Sequence, residues 1–269
     1  MNNLSEDLRL DAALAARGLA RSRTRAAQLI SEGVVTVDGR PATKVSQRVS
    51  ESSVLAVTDS VGYVSRAALK LRAALETFSL DVTGRLALDV GASTGGFTQV
   101  LLERGAERVV ALDVGHDQLA PSLRADSRVV VIEGANARFL TPDVLKTAGV
   151  TARPTLVVAD LSFISLGLVL PALVETVGVD ADFVVLVKPQ FEVGRGGTKV
   201  GVVRNAAKRE DAVNGVLWAA WDVGLRAAGI ISSPIAGSTG NLEYLVWFSN
   251  TAGTNPAEWT QQVSELAHG

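Results

Sequence analysis

Leu86-Ala87-Leu88-Asp89-Val90-Gly91-Ala92-Ser93-Thr94-Gly95-Gly96-Phe97-Thr98 is an apolar run closed by an acid, then a small-residue loop, then the apolar start of a helix. A second run, Val109-Val110-Ala111-Leu112, closes on Asp113. Two strands ending in carboxylates, joined through a Gly-rich turn and a helix, read as a nucleotide-cofactor site. The first loop lets backbone N–H groups approach a ligand, and the second acid takes a ribose diol.

Three chemistries compete for this loop. A dinucleotide fingerprint needs G-x-G-x-x-G, but Gly91 is followed by Ala92 and Ser93, so the glycine that admits a pyrophosphate is missing. Gly91-Ala92-Ser93-Thr94-Gly95 matches the G-x-S-x-G nucleophile elbow, whose triad needs a histidine after the serine and the acid. His116 comes too early and His268 is the penultimate residue. An S-adenosylmethionine site has no pyrophosphate to hold. It needs a turn that admits the methionine moiety and an acid for the ribose, which Asp89, Gly91, Gly95 and Asp113 supply. Ser93 and Phe97 complete the candidate loop, and the Asn136 amide offers an adenine-edge contact. Capping of the following turns by Asp89 and Asp113 is the alternative.

Outward from this loop, helical and strand patterns alternate. A helix is predicted at 65–77 with Ala68, Leu69, Leu71 and Leu75 inward. Strands are predicted at 86–90, 109–113, 129–132, 155–159, 183–187, 230–235 and 242–248. The pattern is a Rossmann-like α/β domain with a mostly parallel sheet and an antiparallel edge strand from its last hairpin. Before it, a helix at 8–18, a second helix capped by Ser22, and strands around Asp38-Gly39 and Val54–Val57 form a small α+β unit. The predicted boundaries are a module at 1–59, a linker at 60–64, a catalytic domain at 65–250 and a weakly docked tail at 251–269.

The 269 residues carry a net charge of −2, but residues 9–48 hold eight basic residues against three acidic ones. Such asymmetry suggests a basic contact module joined to a neutral or acidic catalytic body. Arg9, Arg17, Arg21, Arg23 and Lys44 are its candidate phosphate contacts, the alternative being a solvated helix face. No cysteine and two histidines exclude a disulfide framework, the common structural zinc sites and a cysteine nucleophile; no metal is expected. No apolar run approaches the ~20 residues of a membrane span. A cytoplasmic protein, with no membrane partner, is expected.

Five motifs then occur in order: Ser65-Arg66-Ala67-Ala68-Leu69-Lys70-Leu71, the loop 91–98, Asp160-Leu161-Ser162-Phe163-Ile164-Ser165-Leu166, Lys188-Pro189-Gln190-Phe191-Glu192 and Gly240-Asn241-Leu242-Glu243-Tyr244. The set resembles the TlyA (hemolysin A-like) family of ribosomal RNA 2′-O-methyltransferases, a branch of the FtsJ-like methyltransferases, and the first 60 residues resemble an S4-type RNA-binding domain. The resemblance implies S-adenosylmethionine as cofactor, cytidine riboses of small- and large-subunit rRNA as substrates, ribosomal subunits as partners, and a link to capreomycin-type susceptibility. It also implies a catalytic Lys-Asp-Lys-Glu set at Lys70, Asp160, Lys188 and Glu243. Each position fits the independent reading, at a strand end or at the helix preceding the first sheet strand. Lys188 would accept the 2′-hydroxyl proton or stabilise the alkoxide; surface ion pairs are the alternative for the set.

Asp160-Leu161-Ser162-Phe163 stands where amino-methyltransferases carry a Pro-Pro motif, which leaves base N-methylation as a second activity. A non-catalytic ribosome assembly factor is the reading outside enzymes. The basic stretch Gly194–Lys199 is expected to close over RNA or cofactor, with Phe191 stacking on a base. A monomer is expected.

Overall fold

The computed structural model describes residues 7–31, 34–42, 44–57, 62–193 and 201–269. The Gly194–Lys199 stretch and part of the 60–64 linker lie outside them. The chain divides into two compact units, residues 1–62 with 235–241, and residues 63–234 with 242–269. Among the described residues, no helix is long and apolar enough to cross a membrane.

The first unit runs β1 (Leu8–Arg9), α1 (Leu10–Ala16), α2 (Arg23–Ser31), β2 (Val35–Val37), β3 (Arg40–Pro41), β4 (Arg48–Val49) and β5 (Leu55–Val57). Ser22 Oγ accepts from the Arg25 N–H at 3.1 Å, which caps α2 as its sequence predicts. Leu10, Ala13 and Leu14 of α1 are buried, as are Ala26, Leu29 and Ile30 of α2. Asp38 and Gly39 adopt φ of 51° and 75°, the paired left-handed residues that close a two-residue hairpin. The strand order is β3-β2-β5, with β1 and β4 paired separately.

The second unit runs α3 (Ala67–Thr77), β6 (Leu86–Val90), α4 (Gly96–Glu103), β7 (Arg108–Leu112), α5 (Pro121–Arg124), β8 (Val129–Ile132), α6 (Pro142–Thr147), β9 (Leu156–Ala159), α7 (Leu170–Val177), β10 (Asp182–Val187), α8 (Pro189–Glu192), α9 (Ala206–Asp222), β11 (Ala227–Ser232), β12 (Tyr244–Phe248) and α10 (Thr260–His268). Seven strands pair in the order β11-β12-β10-β9-β6-β7-β8. Strands β8, β7, β6, β9 and β10 are parallel, and β12 is antiparallel to both its neighbours. The antiparallel strand thus lies one place in from the edge. Alternate strand residues feed two apolar layers. Leu88, Val90, Val157 and Val185 pack with α7, α9 and α10. Ala87, Val109, Val158 and Val184 pack with α3 and α4. Burial of both faces is why these strands read as continuous apolar runs.

The chain passes from β6 outward to β8 and then returns to β9 on the other side. The sheet therefore reverses direction between β6 and β9, and a crevice opens beyond their carboxyl ends. Because Val187 pairs with Tyr244, the start of β12 comes to that same edge.

Two expectations need correction. β11 spans 227–232, not 230–235; a bulge at Ala227/Gly229 lets small residues enter early. A Cβ on Gly229 would fall 2.6 Å from Phe78. The C-terminal tail is docked firmly, not weakly. Val263 and Ala267 of α10 are buried, Trp259 Nε1 donates to the Ala227 carbonyl at 3.1 Å, and Arg209 donates to the Ala267 carbonyl.

Candidate active site

Asp89 lies inside β6 and is fully buried. Thr98 Oγ1 donates to its Oδ2 at 2.6 Å, while Oδ1 has no partner among the described residues. Burial pushes this carboxyl up to about 7, against the Thr98 bond and reinforced by Asp160 and Asp113. Gly91 follows at φ +83°, and a Cβ there would fall 2.7 Å from the Asp160 carbonyl oxygen. Only glycine lets the loops after β6 and β9 approach this closely. Asp113 stands opposite, accepting from Ser93 N–H at 2.8 Å and Gly115 N–H at 2.7 Å. Asn136 caps the following 3-10 turn, accepting from Arg138 N–H at 3.0 Å.

Gly91, Ser93, Asp113, Asn136 and Asp160 share the wall of one cleft of about 550 Å³, with residues 161–164 along its far side. Three members of the predicted cofactor set do not line it. Asp89 lies beneath the loop. Gly95 starts α4 with its Cα against Leu119 and Leu123. Phe97 is 2% exposed and packs in the core.

The four residues of the predicted catalytic set form one chain of ion pairs. Lys70 Nζ lies 2.6 Å from Glu243 Oε2 and 3.9 Å from Asp160 Oδ2. Lys188 Nζ lies 2.6 Å from Asp160 Oδ1 and donates to Ser162 Oγ at 2.9 Å. Burial alone would raise the Asp160 carboxyl, but the Lys70 and Lys188 ammonium groups hold it below the usual carboxylate range. Each member comes from a different element: α3, the end of β9, the end of β10 and the residue before β12.

Several neighbours escape the sequence reading. Ser162 touches Lys188, and Gln118 Oε1 accepts from Ser93 Oγ at 3.2 Å. Arg66, one turn before Lys70, is pulled down by burial and held up by Glu243 and Asp160. Ser162 and Arg66 sit inside two of the quoted motifs, which was the available signal; Gln118 had none. Phe163 is 86% exposed at φ +66°. Its ring stands 5.2 Å from that of Phe191, and Lys188 Nζ is 6.0 Å from the Phe191 centroid.

In the first unit, the predicted phosphate contacts divide. Arg17 donates to the carbonyls of Ser50, Glu51 and Ser53. Arg9 and Arg23 both bind Asp11. The Asp11 carboxyl, raised by burial, is brought below its usual value by Arg23 and Arg9. Arg21 and Lys44 are exposed.

Residues 63–250 match the FtsJ-like methyltransferase family, and residues 8–55 match the S4 domain. The 16S/23S rRNA (cytidine-2′-O)-methyltransferase TlyA of Mycobacterium tuberculosis is 54% identical over 242 residues, 89% of this chain and 88% of its own. The chain belongs to the TlyA family of FtsJ-like methyltransferases. Hemolysin A of Brachyspira hyodysenteriae is 39% identical over 90% of this chain and 99% of its own. A solved structure from Streptococcus thermophilus, described as a hemolysin, has a TM-score of 0.74 at 36% identity, covering 98% of this chain and 96% of its own.

S-adenosylmethionine is the cofactor of this family's chemistry, and the cleft fits it. The Gly91 approach leaves no Cβ on the cleft wall. Asp113 lines the cleft; its two oxygens accept one backbone bond each and have acceptor capacity beyond those. Asn136 lines the same cleft.

Proposed function

We propose that the protein transfers a methyl group from S-adenosylmethionine to the ribose 2′-oxygen of cytidines in small- and large-subunit ribosomal RNA. The chain Glu243–Lys70–Asp160–Lys188 at the edge of the cofactor cleft carries this reading. A 2′-hydroxyl is a poor nucleophile and must lose its proton as it attacks. Asp160 is a weak base because two ammonium groups hold it ionised. Its work is to aim Lys188, which stands at the open end of the series. With Asp160 and Ser162 each taking one bond of Lys188 Nζ, one further position on that nitrogen meets the 2′-oxygen. For this step Lys188 first gives up one proton to solvent; the neutral amine keeps its two N–H bonds to Asp160 and Ser162, and its lone pair takes the 2′-hydroxyl proton. Lys70 and Glu243 fix Asp160 from behind. Gly91, Asp113 and Asn136 would hold the cofactor in the cleft, and it would supply the electrophilic methyl.

Exposed Phe163 and half-buried Phe191 give an aromatic pair beside Lys188, on which the target base stacks. The N-terminal module, residues 1–59, docks RNA through Arg21 and Lys44 and, less directly, through Arg9, Arg17 and Arg23. The protein works as a monomer in the cytoplasm, with ribosomal subunits as its partners.

The test is transfer of labelled methyl to purified unmodified subunits. Label in both subunits is expected. Label in the large subunit alone would narrow the substrate range, and label in neither would refute the activity.

A further inference from the structure

Two loops at the mouth of the cleft are joined by three successive contacts. The first is Lys188 Nζ with Asp160 and Ser162. The second is the Phe163–Phe191 ring pair at 5.2 Å. The third is Glu192, whose Oε2 accepts from Ser165 Oγ at 2.5 Å and whose Oε1 accepts from the Leu166 N–H at 2.9 Å. Segment 160–166 follows β9 and segment 188–192 follows β10, so the contacts keep step along both chains. The first two involve groups assigned to chemistry and stacking above; the third has had no role until now.

We propose that Glu192 is a positioning residue for methyl transfer, a clamp that fixes the 161–166 loop against α8; this rests on the 2′-O-methyltransferase reading. Three features require such a clamp. The loop forms one wall of the cleft through Leu161, Ser162, Phe163 and Ile164. Phe163 is held at φ +66°, where a bulky side chain persists only if its surroundings dictate it. Phe163 is also 86% exposed, so little packing of its own ring holds it. Glu192 binds the loop just beyond, at Ser165 and Leu166. Ser165 in turn accepts from the Gly167 N–H at 3.3 Å and caps the 3-10 turn Leu166–Leu168. The clamp thereby ties the strained residue to a capped turn on one side and to Lys188 on the other. Both donors to Glu192 are neutral, so the clamp needs acceptor geometry rather than negative charge.

The experiment compares wild type, Glu192→Ala, Glu192→Gln and Ser165→Ala in methyl transfer to ribosomal subunits at saturating S-adenosylmethionine, with thermal unfolding of each. Glu192→Ala is expected to lower kcat by roughly ten- to a hundredfold, the scale of a misplaced reacting group. Glu192→Gln accepts from Leu166 through its carbonyl and donates to Ser165 through its NH₂. It is expected to restore transfer to within about threefold of wild type. Ser165→Ala, a small truncation that keeps the test open if Glu192→Ala does not fold, is expected to fall in between. An active wild type with an equally active Glu192→Ala or, if that variant is unfolded, Ser165→Ala overturns the proposal alone. A Gln variant as impaired as the Ala variant overturns it too, by showing that charge and not geometry matters. A folded wild type that transfers nothing refutes the functional reading, and the proposal with it.

Discussion

Replacing Gly91 with alanine tests whether the loops after β6 and β9 meet because the site requires it. Gly91 has φ +83°, and an added Cβ would sit 2.7 Å from the Asp160 carbonyl oxygen and 3.1 Å from Leu161 Cδ2. Two costs combine. A side chain in the left-handed region costs about 1–2 kcal/mol. Overlap with a backbone oxygen that cannot swing away costs about 1–3 kcal/mol more, as overpacking does. The sum is roughly 2–5 kcal/mol, or a fall in Tm of about 5–15 °C for a unit of this size. Gly105 is the control: its φ is +84°, but the nearest atom to an added Cβ is 3.6 Å away. Gly105→Ala should carry only the first cost. Relief of the overlap in Gly91→Ala also pushes the Asp160 backbone out of the cleft wall. Cofactor affinity measured by calorimetry should then fall at least about tenfold, a loss of ~1.4 kcal/mol, while Gly105→Ala binds as wild type. Equal destabilisation by the two substitutions, with unchanged cofactor affinity in both, would refute the argument.

Other outcomes follow from single residues. Folded Asp89 holds its proton up to about pH 7, whereas the unfolded side chain ionises near 3.8. Its stabilising contribution is therefore complete below about pH 4 and declines as pH rises to about 7, by roughly 4 kcal/mol. Denaturant titrations should show Asp89→Asn gaining on wild type across that window; a constant difference would contradict the assignment. Arg17→Ala should destabilise the first unit by about 1 kcal/mol through loss of three carbonyl contacts. Arg21→Ala should leave stability alone and reduce the salt slope of RNA binding by about one. Lys188→Arg keeps the charge but cannot take a proton. It should lose at least about a hundredfold in kcat, the scale of general-base catalysis; near-normal turnover would assign Lys188 to alkoxide stabilisation instead.

The parallel strands were legible because burial on both faces writes them as unbroken apolar runs; β6 and β8 have the predicted limits to the residue. β11 was shifted because Ala227, Ala228 and Gly229 carry no strand signature, and a bulge beside Phe78 is a tertiary event. The tail was misjudged because its anchor, Arg209, is 58 residues away from Ala267. The motif Lys70, Asp160, Lys188 and Glu243 was visible as residue types, yet its order in space depends on β12 running antiparallel. Periodicity shows that Phe97 is apolar, not whether it faces the cleft or the core. Arginines look alike in a basic segment, and only the fold separates Arg17, which binds backbone carbonyls, from exposed Arg21. The grouping of 235–241 with the first unit is invisible to any reading that cuts a chain into consecutive pieces.

The most direct test of the central claim is the chemical position of the transferred methyl. Ribosomal RNA labelled by the wild-type protein is hydrolysed in alkali, which cleaves every phosphodiester beside a free 2′-hydroxyl. The account predicts label in alkali-resistant dinucleotides beginning with cytidine, absent when Lys188→Ala replaces wild type. Label released as a mononucleotide would place the methyl on a base and contradict it.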